Sequence, residues 1–187
     1  MHGTFIKTPK IRTSLKQSFL RGMIILCLLM GEISLFSSCS KGKSSAPSMA
    51  PDFALKTLDG QEITLSQLKG KTVLLDFWAT WCGPCRESIP HLIQLYKTHQ
   101  EKGFEVIGMN LDKGDIEVIR HFVKSMDIPY PVVVSSEDIA RNYGVTGLPT
   151  SFFIDKEGKI REKIMGFNSS IARHLEAKAE ELTSEKP

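Results

Sequence analysis

From residue 50 onward the apolar positions fall into two kinds of run, short continuous ones and longer ones spaced by three and four residues. Residues 72–79 (TVLLDFWA) are apolar apart from Thr72 and Asp76. That pattern suits a strand buried on both faces of a parallel sheet, and it predicts the central strand. Residues 104–111 and 132–134 predict further strands. After Cys85, the residues Ile89, Leu92, Ile93 and Tyr96 mark the stripe of an amphipathic helix, with a kink expected at Pro90. Asp115 is placed to cap a helix whose apolar face is Ile116, Ile119, Phe122, Val123 and Met126. A short helix is predicted over 137–143, and Ser169 or Ser170 is expected to cap a last one bearing Ile171, Leu175, Ala179 and Leu182. Two hairpins complete the series. Residues 53–55 and 62–64 flank an Asp59-Gly60 turn, and residues 150–154 and 159–164 are joined through 155–158. Strands alternating with helices, then a hairpin and a closing helix, predict an α/β domain with a central mixed sheet.

Composition changes this picture mainly at the N-terminus. The chain of 187 residues has the length of one domain, and its 41% hydrophobic and 24% charged residues are those of a globular protein. The formal charge of +3 arises from Lys7, Lys10, Arg12, Lys16 and Arg21, which precede Cys39 against the single acid Glu32. No basic surface is left for nucleic acid. The apolar run 23–30 is eight residues long, far short of the roughly 20 that a membrane span needs. Basic residues, a short apolar stretch and then Ser37-Ser38 before Cys39 describe a secretory signal peptide over residues 1–38. Leu35-Phe36-Ser37-Ser38-Cys39 resembles a bacterial lipobox, with Phe36 standing where that pattern usually has Leu. Cys39 is therefore expected to be lipidated and to anchor the chain on the outer side of a membrane. Ordinary cleavage nearby, or an uncleaved anchor, are the alternatives. Cys27 is read as one more apolar residue of the leader. Residues 39–50, rich in Ser, Lys and Pro, are expected to be a flexible tether to a folded domain over 51–187.

The chemistry is carried by Trp81-Cys82-Gly83-Pro84-Cys85, where the buried strand gives way to a helix. A helix N-terminus carries roughly half a positive charge and unpaired N–H groups, so it favours the thiolate of the first cysteine. Cys82 is thus the expected nucleophile. Cys85, one turn on and deeper, is the expected resolving thiol that closes a reversible disulfide. Pro84 is tolerated because a first-turn N–H has no helical partner to lose. Zinc is a poor alternative, since no second C-x-x-C or C-x-x-H follows and His91 stands alone. A purely structural disulfide around so short a loop would add little stability. No cofactor is implied. Asp76 is costly to bury inside its strand. It is read as a carboxylate of raised pKa beneath the disulfide, exchanging a proton with Cys85. Pro149 precedes a strand in Gly147-Leu148-Pro149-Thr150, where an X-Pro bond has access to either isomer.

These residues resemble the thioredoxin superfamily. Residues 73–85 (VLLDFWATWCGPC) are similar to its active-site strand and helix almost position for position, and Pro90 falls at its helix proline. The opening APDFALKTLDG, the added segment 112–131 and the block GVTGLPTSFFIDKEGKI resemble the TlpA/ResA-like group of membrane-tethered thiol-disulfide oxidoreductases. The resemblance implies a thioredoxin-like fold and a cis Pro149 facing the cysteines. It also implies a peptide groove made by Trp81, Gly83, Pro84, Leu148 and Pro149, with the substrate added as a short edge strand. Two departures stand out. Ser88 occupies the position where many ResA-like proteins have glutamate, with Glu87 one place earlier as a favourable first-turn charge. Asp76 is present where many of them lack an acid, and Gly108 stands where thioredoxin has a lysine near it.

The function expected is reduction of protein disulfides outside the cytoplasm by the Cys82/Cys85 dithiol. The resemblance implies a membrane thiol transporter as electron donor and apocytochrome c as one substrate. The alternatives are a disulfide oxidant or isomerase, a peroxiredoxin-like peroxidase, and a surface binding protein without redox chemistry. The peroxidase needs P-x-x-x-T-x-x-C, but Leu75 and Ala79 stand at its Pro and Thr positions.

Overall fold

A computed structural model describes residues 48–186. The expected signal peptide 1–38, Cys27, Cys39 and most of the tether lie outside the described residues. The chain opens with an antiparallel hairpin of β1 (Ala54–Lys56) and β2 (Glu62–Thr64), with Leu55 opposite Ile63. After the 3-10 turn Leu65–Leu68 come β3 (Thr72–Trp78) and α1 (Gly83–His99). Then follow β4 (Phe104–Asn110), α2 (Ile116–Ser125), β5 (Val132–Val134) and α3 (Glu137–Asn142). The chain ends with β6 (Thr150–Ile154), β7 (Ile160–Met165) and α4 (Ser169–Ser184).

Five strands form one mixed sheet in the order β5-β4-β3-β6-β7. β3 is parallel to β4, and β4 to β5, while β6 runs antiparallel to both β3 and β7. All seven residues of β3 are buried, as its apolar run requires of a central strand. Its pleat divides the core in two. Leu74 and Trp78 pack with Cys82, Cys85, Ile89 and Leu92 of the α1 segment and with Leu175, Ala179 and Leu182 of α4. Val73, Leu75 and Phe77 pack on the other side with Phe53, Leu65, Phe152 and Tyr143. Among the described residues no helix is long and apolar enough to cross a membrane.

Two local expectations are corrected. Neither Ser169 nor Ser170 caps α4. Asn168 does, its side chain accepting from the N–H groups of Ser170 and Ile171 at 2.9 Å each. A cap must sit just outside the helix in extended backbone, and Asn168 holds that place. On α2, Ile119 is buried, whereas Ile116, at the first helical position, is exposed. The Asp115 cap is as expected, its carboxylate accepting from the Glu117 N–H at 2.9 Å. Helix α1 runs continuously through Pro90.

Candidate active site

The site is built at one end of the sheet. β3 leads out at Trp78 to Cys82, and Thr150 at the start of β6 pairs with Phe77, so the Leu148-Pro149 peptide stands at the same end. Asn110, the last residue of β4, pairs with Trp78 there as well. Such an end, outside the carboxyl ends of parallel strands, is where α/β sheets place their chemistry.

Cys82 is the N-cap of α1, and its sulfur accepts from the Cys85 N–H at 3.2 Å. The two cysteines form a disulfide with their Cα atoms 5.3 Å apart. Cys85 is fully enclosed and Cys82 almost so, whereas Trp81 is 71% exposed beside them. Gly83 and Pro84 form the exposed first turn of the helix. Leu148 is half-buried, Pro149 is buried, and the bond between them is cis. The Pro149 loop is tied down by its own neighbours: Thr150 Oγ1 donates to Gly147 O at 2.7 Å, and the Gly166 N–H donates to Pro149 O at 2.8 Å. Ser88 is buried and donates to the Cys85 carbonyl at 2.9 Å, while Glu87 is exposed.

Asp76 is buried on the α1 side of β3, between Leu74 and Trp78, both of which pack in the cluster that holds Cys85. Its Oδ1 accepts from Ser151 Oγ at 2.7 Å, and its Oδ2 is buried without a protein partner. Burial pushes its pKa up to about 7, with the Ser151 hydroxyl acting in the opposite direction. On the β4 side its register partner is Gly108. A Cβ there would stand 3.0 Å from Trp78 Nε1 and 3.1 Å from Val132 Cγ2, so the space that a lysine would need is filled. Tyr130 closes the same slot, and its phenol is held neutral by burial and by the Asp76 charge.

One network escaped the sequence reading. Asp112 Oδ2 accepts from the Thr80 N–H at 2.8 Å, and Asp112 Oδ1 from the Thr80 hydroxyl at 2.9 Å. Buried Asn110 donates its Nδ2 to the same carboxylate at 2.6 Å. The turn carrying Trp81 and Cys82 is thereby tied to the end of β4. The available signal was a pair of polar residues closing a buried strand at the switch end of the sheet. Among the described residues no three His, Cys, Asp or Glu side chains stand together as a metal centre would need.

The model of the AhpC/TSA family matches residues 47–163. Thiol-disulfide oxidoreductase ResA of a Bacillus cereus strain is 41% identical over 156 residues, covering 81% of the chain and 90% of the relative. ResA of Bacillus subtilis is 36% identical over 155 residues, covering 81% and 86%. A crystal structure of a thiol:disulfide interchange protein of the thioredoxin family from Chlorobium tepidum TLS superposes with a TM-score of 0.67 at 31% identity. It covers 75% of this chain and 99% of that one.

Proposed function

The chain belongs to the AhpC/TSA family and is a thioredoxin-like thiol-disulfide oxidoreductase of the ResA type, and from that premise we propose that it reduces protein disulfides outside the cytoplasm. The observation that carries the reading is the Cys82–Cys85 disulfide at the mouth of α1, with the buried Asp76 carboxyl on the same side of β3 bonded, among the described residues, to Ser151 alone. In the reduced protein Cys82, stabilised as a thiolate by the N–H groups of α1, attacks a substrate disulfide and expels one substrate thiol. Cys85 then gives its proton to the Asp76 carboxylate and attacks the Cys82 sulfur. The second substrate thiol leaves, and the protein is oxidised by two electrons. The exposed Trp81, the first turn Gly83-Pro84 and the Leu148-Pro149 peptide form the groove in which the substrate lies as an added strand. Gly83-Pro84, the dipeptide of thioredoxin itself, favours the reducing direction. Lipidated Cys39 would hold the domain at the outer face of the membrane, where a thiol transporter resets it. Apocytochrome c, whose haem-binding cysteines must be reduced, is the substrate that fits such a placement.

A peroxidase reading is disfavoured at the residue level, because Leu75 and Ala79 replace the Pro and Thr that peroxide binding needs. The direction is tested by equilibrating the Cys82/Cys85 couple against dithiothreitol or glutathione buffers. A potential near roughly −270 mV supports the reductant, and one near roughly −120 mV overturns it in favour of an oxidant.

A further inference from the structure

The two oxygens of the Asp76 carboxyl have different surroundings. Oδ1 is bonded to Ser151 Oγ at 2.7 Å, and Oδ2 is enclosed with no protein partner. Ser151 comes from β6, directly across the ladder from Asp76, and is itself only 7% exposed. On the other flank Gly108 offers no side chain, and the Trp78 indole that fills the gap has its own N–H buried and unpaired. Among the described residues Ser151 is therefore the hydrogen-bond donor that the carboxyl has. A buried polar pair of this kind costs free energy unless it is satisfied, and a serine at a core position of β6 is not explained by packing.

Resting on the reading of Asp76 as the proton carrier, we propose that Ser151 is a positioning residue for the thiol-disulfide reaction: its hydroxyl clamps Oδ1, fixes the carboxyl in one orientation and leaves Oδ2 to exchange the proton with Cys85. The hydroxyl has one proton to give, and donating it favours the carboxylate over the acid. It thereby offsets part of the burial penalty and keeps a fraction of the protein in the proton-accepting form near neutral pH. In the step served, the Cys85 S–H bond breaks and its proton goes to Oδ2. The Cys85–Cys82 bond forms as the bond from Cys82 to the substrate sulfur breaks, and that sulfur leaves with the electron pair. Among the described residues, other titratable groups on the elements packed around β3 at this position are few. α1 brings the Cys82–Cys85 pair into the core layer on the same side of β3, and the segment before β5 brings Tyr130, which stays neutral. β4 places Gly108 opposite it in register, and α4 adds only the apolar Leu175, Ala179 and Leu182 to the core layer on that side of β3.

The test uses the full chain and four variants, Asp76→Asn, Ser151→Ala, and the isosteric pair Ser151→Thr and Ser151→Val. One readout is the carboxyl carbon resonance of Asp76 titrated in the oxidised protein. The other is the pH dependence of each step when the reduced protein meets an aromatic disulfide that frees a coloured thiolate at each step. Ser151→Ala is expected to move both the Asp76 titration and the midpoint of the second release to higher pH, leaving the first release unchanged. Ser151→Thr restores both and Ser151→Val does not, a contrast that carries the test even if the alanine variant fails to fold. If D76N abolishes the midpoint but S151A and S151V leave both titrations in place, the role of Ser151 is overturned and the relay stands. If D76N leaves the midpoint of the second release unchanged, the relay itself is overturned, and the role of Ser151 with it.

Discussion

Asp76 is the residue at which burial and chemistry conflict. Its carboxyl is raised from 3.8 to about 7 because enclosure disfavours the charged form. Folding therefore favours the protonated acid. The stability this gives is fully present below about pH 4 and is lost as pH rises through about 7, a difference of about 4 kcal/mol at roughly 1.4 kcal/mol per unit. Urea denaturation of the oxidised wild type should thus show stability falling between pH 4 and 7 and level above. Asp76→Asn should remove that slope and be the more stable protein at pH 8. The same variant should slow release of the second substrate thiol roughly 10²-fold at pH 7, as loss of a positioned proton acceptor would. The cysteines divide the reaction differently. Cys85→Ser should stall with the substrate trapped on Cys82, visible as a mass increment that dithiothreitol removes, whereas Cys82→Ser should trap nothing. The sequence marked all three residues, because a charge in an apolar strand and a C-x-x-C at a strand-to-helix junction are local signals. Ser151 carried no such signal, since an uncharged hydroxyl next to Thr150 at the start of a strand is ordinary and its partner lies 75 positions away.

Among the elements, β3 and β4 form the floor of the site and their close approach depends on Gly108. A methyl group there would meet the Trp78 indole at 3.0 Å and Val132 at 3.1 Å, so Gly108→Ala should destabilise by about 1–3 kcal/mol and alter Trp fluorescence. At the far end of the chain the Asn168 side chain satisfies two N–H groups of α4. Asn168→Ala should cost about 1 kcal/mol by denaturant titration, whereas Ser169→Ala should cost little. The strands and helices themselves were legible in their apolar spacing. The identity of the α4 cap was not, because Asn168, Ser169 and Ser170 are all good caps and the choice depends on where the backbone turns into the helix.

For the molecule as a whole, the domain is built on a five-stranded sheet between two apolar layers, and the proposed leader, anchor and tether would hold it at a membrane. If Cys39 carries the lipid, Cys39→Ala should move the protein from the membrane to the soluble fraction and abolish fatty-acid labelling, while the Cys82/Cys85 potential stays unchanged. The sequence by itself determined the order of strands and helices, the buried central strand, the cysteine pair at its end and the acid within it. Each of these is written in residues a few positions apart, and backbone periodicity turns such neighbours directly into a face, a cap or a turn. The tertiary structure alone decided that Ser151 meets Asp76, that Trp78, Val132 and Tyr130 fill the space beside Gly108 opposite it, and that Asp112 holds Thr80. It also settled the isomer of the Leu148-Pro149 bond, which the local sequence leaves open. These are contacts between strands and loops brought together by register, and a shift of one residue would turn every side chain to the opposite face.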